Sequence, residues 1–207
     1  MRGFSNRGPD SSAMLTLILG GARSGKSRLA QRLATPAARV TYVATARVHD
    51  NAEHDPEDDP EMAARIARHR AARSASWRTI EEPLALADAL DRAAKNADTI
   101  IVDCLTIWLS NLFWEHRDVG DGKVEIIARA ELQRIAITAR GCHVILVSNE
   151  LGSGTVPEPA LTRAFRDTQG LLNQWAAEAA DEVILTVAGL PLFLKGAPRM
   201  TLAHKNE

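Results

Sequence analysis

With 207 residues the chain is long enough for one α/β domain with a full core. Its 25 basic and 26 acidic side chains leave a formal net charge of −1, which offers no electrostatic footprint for nucleic acid. The two cysteines, Cys104 and Cys142, adjoin apolar runs and form no metal-spaced set, so they read as buried, reduced thiols of a cytoplasmic protein. No apolar run approaches the roughly 18 residues that a membrane span requires.

Residues 1–13, MRGFSNRGPDSSA, are polar and lack the apolar core of a secretory signal. They are expected to be a disordered extension, with Met14 an alternative translation start and residues 14–207 forming the single domain. Leu15, Leu17, Ile18 and Leu19 then predict a strand that runs into GGARSGKS at 20–27, and residues 28–34 predict the helix behind it. This is the spacing Gly-x-x-x-x-Gly-Lys-Ser of a P-loop. Gly20 and Gly25 keep the turn free of Cβ atoms, so that backbone N–H groups along Gly20, Gly21, Ala22, Arg23, Ser24, Gly25, Lys26 and Ser27 can surround a phosphate. Lys26 is placed for the β- and γ-phosphates, and the Ser27 hydroxyl for Mg²⁺. The chain is expected to bind a nucleoside triphosphate.

Further apolar runs follow at 40–44 (VTYVA), 99–103 (TIIVD), 143–148 (HVILVS), 183–188 (VILTVA) and 191–195 (PLFLK), and helical periodicity fills the gaps between the first five strands. Runs that are apolar nearly throughout indicate strands buried on both faces, as in a parallel sheet with helices on both sides. The last two runs are joined by Gly189 and Leu190 before Pro191, too short for a parallel crossover, so they predict an antiparallel edge hairpin. The fold class expected is therefore α/β: a P-loop NTPase, RecA-like three-layer sandwich whose mostly parallel sheet ends in an antiparallel C-terminal hairpin.

Asp103 closes the run TIIVD, at the carboxyl edge where open α/β sheets bind ligands, and an acid there beside a P-loop holds Mg²⁺ directly or through water. The alternative is an N-cap for a helix starting near Leu105. An acidic, proline-punctuated stretch at 49–60 precedes a helix opened by Pro60, with Asp59 as its N-cap. On it Met62, Ile66, His69 and Arg73 fall at i, i+4, i+7 and i+11 and share one stripe. Such a histidine is either a packed residue or a nucleophile. The Arg73 guanidinium one turn on would disfavour ring protonation and hold a phosphate, which suits attack on a nucleotide phosphorus. His49 and His54, among Asp50, Glu53 and Asp55, are too loosely spaced on a solvated segment to make a metal site. Asn149 and Glu150, after the fourth predicted strand, open a Gly- and Pro-containing run at 151–159 that is either an active-site loop or a connector.

The segments GGARSGKSRLA at 20–30, VTYVATA at 40–46, EMAARIARHRAAR at 61–73, WRTIEEP at 77–83, IIVDCLTIWLSNLF at 100–113, VSNELGSGTVPEPALTRAFRD at 147–167 and NQWAAEAADEVILTVAGLPLFLK at 173–195 occur in one order. Together they resemble the bifunctional adenosylcobinamide kinase / adenosylcobinamide-phosphate guanylyltransferases of cobalamin biosynthesis. The resemblance implies that ATP or GTP phosphorylates the aminopropanol hydroxyl of adenosylcobinamide, and that GMP from GTP is then transferred to adenosylcobinamide phosphate to give adenosylcobinamide-GDP. It implies that the histidine of the R-I-x-x-H pattern, here His69 in RIARH at 65–69, becomes guanylylated. Thr45, Ala46 and Arg47 match the family's nucleotide-contacting turn; Arg73, Ser74, Ala75, Ser76, Glu81 and Glu82 occupy its guanine-nucleotide positions, or are solvated helix-end and loop residues. Family members are trimeric, and the helix bearing Trp108, Phe113 and Trp114 offers a surface for a neighbour. The chain departs from the family in ARVHDNAEHDPEDDPEM at 46–62, where a short D-x-E-M junction is expected. Two other readings remain: a monofunctional small-molecule kinase with a merely packed His69, and a GTP-binding regulatory module, which the lack of an Asn-Lys-x-Asp motif disfavours.

Overall fold

A computed structural model describes residues 13–47, 74–118 and 121–197. In chain order the elements are β1 (Met14–Gly20), α1 (Lys26–Ala34), β2 (Val40–Ala44), β3 (Arg78–Glu81), α2 (Leu86–Ala94), β4 (Thr99–Asp103), α3 (Leu105–Glu115), α4 (Asp121–Thr138), β5 (His143–Asn149), α5 (Ala160–Ala179), β6 (Glu182–Val187) and β7 (Leu190–Lys195). The strands form one sheet in the order β3-β2-β4-β5-β1-β6-β7, parallel throughout except for β7, which returns antiparallel to β6. The expected parallel sheet and antiparallel edge are both present. The expected N-terminal extension, apart from Ala13, lies outside the described residues, as do the acidic stretch and the helix carrying His69 and Arg73.

Strand alternation sorts the side chains into two layers. Leu15, Leu17, Ile100, Val102, Val144 and Leu146 face one side, where Leu86, Leu90, Trp108, Leu109, Leu132, Ile135 and Leu172 from α2 to α5 cover them. Ile18, Tyr42, Ile101, Ile145, Val147 and Ile184 face the other side, against Leu29, Ala30 and Ala34 of α1. Trp108 has no exposed surface, and its indole Nε1 donates to the Leu84 carbonyl at 2.8 Å, so burial leaves its polar atom satisfied. Phe113 packs edge-on against Phe165, with centroids 5.5 Å apart. Of the three aromatics on α3 that could have served a neighbour, only Trp114 is largely exposed, with Arg117 over its ring. Cys104 and Cys142 are both buried and free, and burial pushes the Cys142 thiol above its ordinary range.

Three local readings differ from the structure. A seventh strand, β3, pairs with β2 at the sheet edge. Its sequence RTIE is largely exposed and has one apolar residue, Ile80, in four, so no hydrophobic run announces it. Helix α1 begins at Lys26 rather than at residue 28, because Gly25 supplies the left-handed residue (φ 100°) that turns the loop directly into the helix. The β6–β7 turn is Ala188–Gly189, with φ of 52° and 82°, rather than Gly189–Leu190. Positive φ at both central residues marks the two-residue hairpin turn whose twist matches the strands, and it leaves Leu190 free to pair with Val187.

Candidate functional site

The site lies at the carboxyl edge, where β1, β4, β5 and β6 end together. Gly20 pairs with Asn149 on one side and Thr186 on the other, and Asp103 pairs with Val147. A Cβ on Gly20 would fall 2.5 Å from Ser24 Oγ, 2.5 Å from the Thr186 carbonyl oxygen and 2.6 Å from Thr186 Oγ1, so only glycine fits. The Ser24 and Thr186 hydroxyls share a hydrogen bond of 2.8 Å, and Thr186 Oγ1 donates to the Leu19 carbonyl at 3.0 Å. From the hairpin turn, the Gly189 N–H donates to the Ser24 carbonyl at 2.9 Å, and the Gly189 Cα would lie 3.2 Å from a Cβ on Gly25. The glycine loop is thus braced from the antiparallel edge. Sequence reading missed Thr186 and Gly189 as parts of the site, since a contact more than 160 residues away in the chain leaves no local pattern.

Lys26 is 7% exposed, and its Nζ donates to the Gly20 and Gly21 carbonyls at 2.8 and 2.6 Å. These bonds hold a buried ammonium against the loop that an anion would enter. Gly21, Ala22 and Arg23 are exposed at the loop's tip, Arg23 with φ 57°.

Across from the loop, Ser27 Oγ donates to Asp103 Oδ1 at 3.4 Å and the Tyr42 hydroxyl donates to Oδ2. Asp103 therefore does not cap α3. The cap residue is Cys104, which makes no side-chain cap bond. Tyr42, the sole tyrosine in the chain, carries the apolar pattern of β2 and gave no polar signal in the sequence; here it orients the carboxylate. The Ser27 hydroxyl and the Asp103 carboxylate are hard oxygen donors, a set that fits a cation completed by phosphate oxygens and water. No group of three His, Cys, Asp or Glu side chains suited to a metal occurs among the described residues.

The turn after β2 is tied down by its own side chains. The buried Thr45 hydroxyl donates to the Cys104 carbonyl at 2.8 Å and accepts from the Cys104 N–H at 2.9 Å, while Asn111 Nδ2 donates to the Thr45 carbonyl at 2.8 Å. Ala46 follows, and Arg47 pairs with Glu115 at 3.1 Å. Ser74 and Ser76 share a hydroxyl bond of 2.9 Å in an exposed turn with Ala75. Glu81 ends β3 in register with Ala44. Glu82 Oε1 accepts from the Leu84 and Ala85 N–H groups at 3.2 and 3.0 Å, so its carboxylate serves the start of α2. Residues 74–82 thus lie along the β3 edge, beyond β2 and β4 from the glycine loop.

Residues 16–194 match the family described as cobinamide kinase / cobinamide phosphate guanyltransferase. The chain belongs to this family. The match takes in every element from β1 to β7, apart from terminal residues of those two strands. Relatives include the bifunctional adenosylcobalamin biosynthesis protein CobP of Pseudomonas aeruginosa, 46% identical over 89% of this chain and 99% of the relative. The bifunctional adenosylcobalamin biosynthesis proteins CobU of Escherichia coli and Salmonella typhimurium are 36% and 38% identical, each over 88% of this chain and all of the relative. As in any enzyme of the cobinamide kinase / guanyltransferase family, nucleotides are among the substrates. No helix among the described residues is long and apolar enough to cross a membrane.

Proposed function

We propose that the chain phosphorylates the aminopropanol hydroxyl of adenosylcobinamide with ATP or GTP, then transfers GMP from GTP to the resulting phosphate by way of His69. The observation that carries this reading is the convergence of Lys26, Ser27 and Asp103 at the carboxyl edge of a family member that contains RIARH at 65–69. Lys26 and the loop N–H groups bind the triphosphate and offset charge on its bridging and terminal oxygens. Ser27 and Asp103 would hold Mg²⁺, which supplies further charge neutralisation on the phosphates.

In the guanylyl-transfer half-reaction an imidazole nitrogen of His69 forms a bond to the α-phosphorus while the bond from that phosphorus to the α,β-bridging oxygen breaks, its electron pair leaving on pyrophosphate. A phosphate oxygen of adenosylcobinamide phosphate then displaces the imidazole, giving adenosylcobinamide-GDP and regenerating His69. Arg73 favours the neutral, nucleophilic ring. Thr45, Ala46, Arg47, Ser74, Ala75, Ser76, Glu81 and Glu82 are proposed as the guanine-nucleotide surface, with Thr45 and Glu82 contributing backbone shape because their side chains are engaged elsewhere. The assembly proposed is a homotrimer, supported by the family resemblance and by the exposure of Trp114.

The test is incubation of purified protein with GTP labelled at the α-phosphate and Mg²⁺. Wild type is expected to retain acid-labile, base-stable label after denaturation, and His69→Ala none. Absence of label in a wild type that binds GTP would remove the covalent step and leave a kinase with a packed histidine.

A further inference from the structure

We propose that Asn149 contacts the terminal phosphate of the bound nucleotide through its side-chain amide, and that Thr106 and Asn173 position it to do so. This rests on the reading of residues 20–27 as the phosphate loop. Asn149 is the last residue of β5 and the register partner of Gly20. Its neighbours of the same parity, Ile145 and Val147, pack on the α1 face, so alternation places Asn149 on the face that also carries Gly20, Asp103 and Ser27. Ser148, of opposite parity, points instead to α5 and donates to Asn173 Oδ1 at 2.6 Å.

The backbone of Asn149 is held on both sides by side chains from different helices. Its N–H donates to Thr106 Oγ1 in the first turn of α3 at 2.9 Å, and its carbonyl accepts from Asn173 Nδ2 of α5 at 2.9 Å. Asn173 is itself fixed by Ser148 and by Gln169, whose Nε2 donates to Asn173 Oδ1 at 3.0 Å and to Ser148 Oγ at 3.0 Å. One residue on, the Glu150 N–H donates at 3.1 Å to the Gly20 carbonyl that also receives Lys26. Ser148 and Gln169 are wholly buried, and Gln169 Oε1 has no hydrogen-bond partner among the described residues, so the arrangement is a costly way to end a strand unless the end must be placed accurately. What it places is a half-exposed amide that makes no hydrogen bond to any described residue, beside the glycine of the phosphate loop. An amide N–H₂ so fixed is a preorganised donor for a phosphate oxygen, and the terminal phosphate, with its concentrated charge, is the part of the nucleotide that needs one.

The test compares the binding of a nucleoside triphosphate and its diphosphate by calorimetry, with kcat for adenosylcobinamide phosphorylation, in wild type, Asn149→Ala, Asn149→Asp and Asn173→Leu. Asn149→Ala is expected to weaken triphosphate binding about tenfold while leaving diphosphate binding within about twofold, and to lower kcat about 10²-fold. Asn149→Asp keeps both backbone bonds but replaces a donor with an anion, so it is expected to lose more triphosphate affinity and serves if the alanine variant fails to fold. Asn173→Leu is expected to move the same triphosphate-to-diphosphate ratio by less, and to add nothing in an Asn149→Ala background. Equal losses for both nucleotides, unchanged kcat, or additive effects in the double variant would overturn the proposal. Lys26→Ala separates the underlying premise: unchanged nucleotide binding in that variant would refute the phosphate loop itself, whereas its loss together with a neutral Asn149→Asp would refute Asn149 alone.

Discussion

Gly20→Ala isolates the demand for close approach at the glycine loop. The new methyl would lie 2.5 Å from both Ser24 Oγ and the Thr186 carbonyl oxygen and 2.6 Å from Thr186 Oγ1, at a backbone φ of 155°. Overpacking of this kind costs about 1–3 kcal/mol, and a side chain in a glycine-only conformation about 1–3 kcal/mol more, so a loss of roughly 2–6 kcal/mol is expected. For a chain of this size that is on the order of 10 °C in Tm. Two of the three clashing atoms are hydroxyls and the third is a backbone carbonyl, so adding Ser24→Ala and Thr186→Ala is expected to restore less than half of the loss. Gly21→Ala is the internal control, because nothing lies within 4 Å of its Cβ, and it is expected to stay within about 0.5 kcal/mol of wild type. Urea unfolding with a shared m-value reads all three variants against wild type. A Gly20→Ala protein within about 1 kcal/mol of wild type, or one no less stable than Gly21→Ala, would refute the claim that steric closeness fixes this residue.

Glu82→Ala removes the acceptor for two N–H groups at the start of α2 and is expected to cost about 0.5–2 kcal/mol in urea unfolding, with Glu82→Gln retaining most of the stability because its amide oxygen still accepts. If the carboxylate instead contacts nucleotide directly, GTP affinity will fall in both variants while stability does not. Asp91 accepts from Thr138 Oγ1 at 2.6 Å and from Arg134 at 2.8 Å, and the Thr138 bond, followed by Arg134, holds its carboxyl below the usual range. A depressed folded-state pKa stabilises above the unfolded value of about 3.9 and is lost as pH falls through the folded one, so Asp91→Asn is expected to lower Tm at pH 6, with the difference from wild type shrinking as the pH falls below the unfolded value. A constant difference in Tm between pH 6 and pH 3 would contradict that assignment.

The parts of the fold legible in the sequence were those with a short-range signature. VTYVA and TIIVD are apolar runs, GGARSGKS has a fixed spacing, and both produced the element expected of them. RTIE failed because an edge strand needs only one covered face, and its exposed polar residues imitate a loop. Thr45 was legible by position but not by role: residues 40–46 placed it correctly at the end of β2, yet its hydroxyl is closed into a reciprocal pair with the Cys104 backbone. Thr186 and Gly189 support the loop from the far end of the chain, and Tyr42 reaches Asp103 across two adjacent strands. Such contacts depend on strand order, and strand order is not written in any single segment.

Register decides which residues of each strand reach the α1 face beside the glycine loop. Gly20, Asp103, Asn149 and Thr186 lie on the α1 face of four different strands, while Leu19, Val102, Ser148 and Val187 alternate to the other side. A slip of one residue in β4 would send Asp103 toward the four-helix layer and bring Val102 opposite Ser27, burying a carboxylate among Leu105, Leu109 and their neighbours. The same slip in β5 would withdraw Asn149 from the loop and break the Ser148 bond to Asn173. The apolar residues of these strands therefore do more than fill the core: by making each slipped register expensive, they hold the polar residue at the strand's end on the face where α1 and the glycine loop meet.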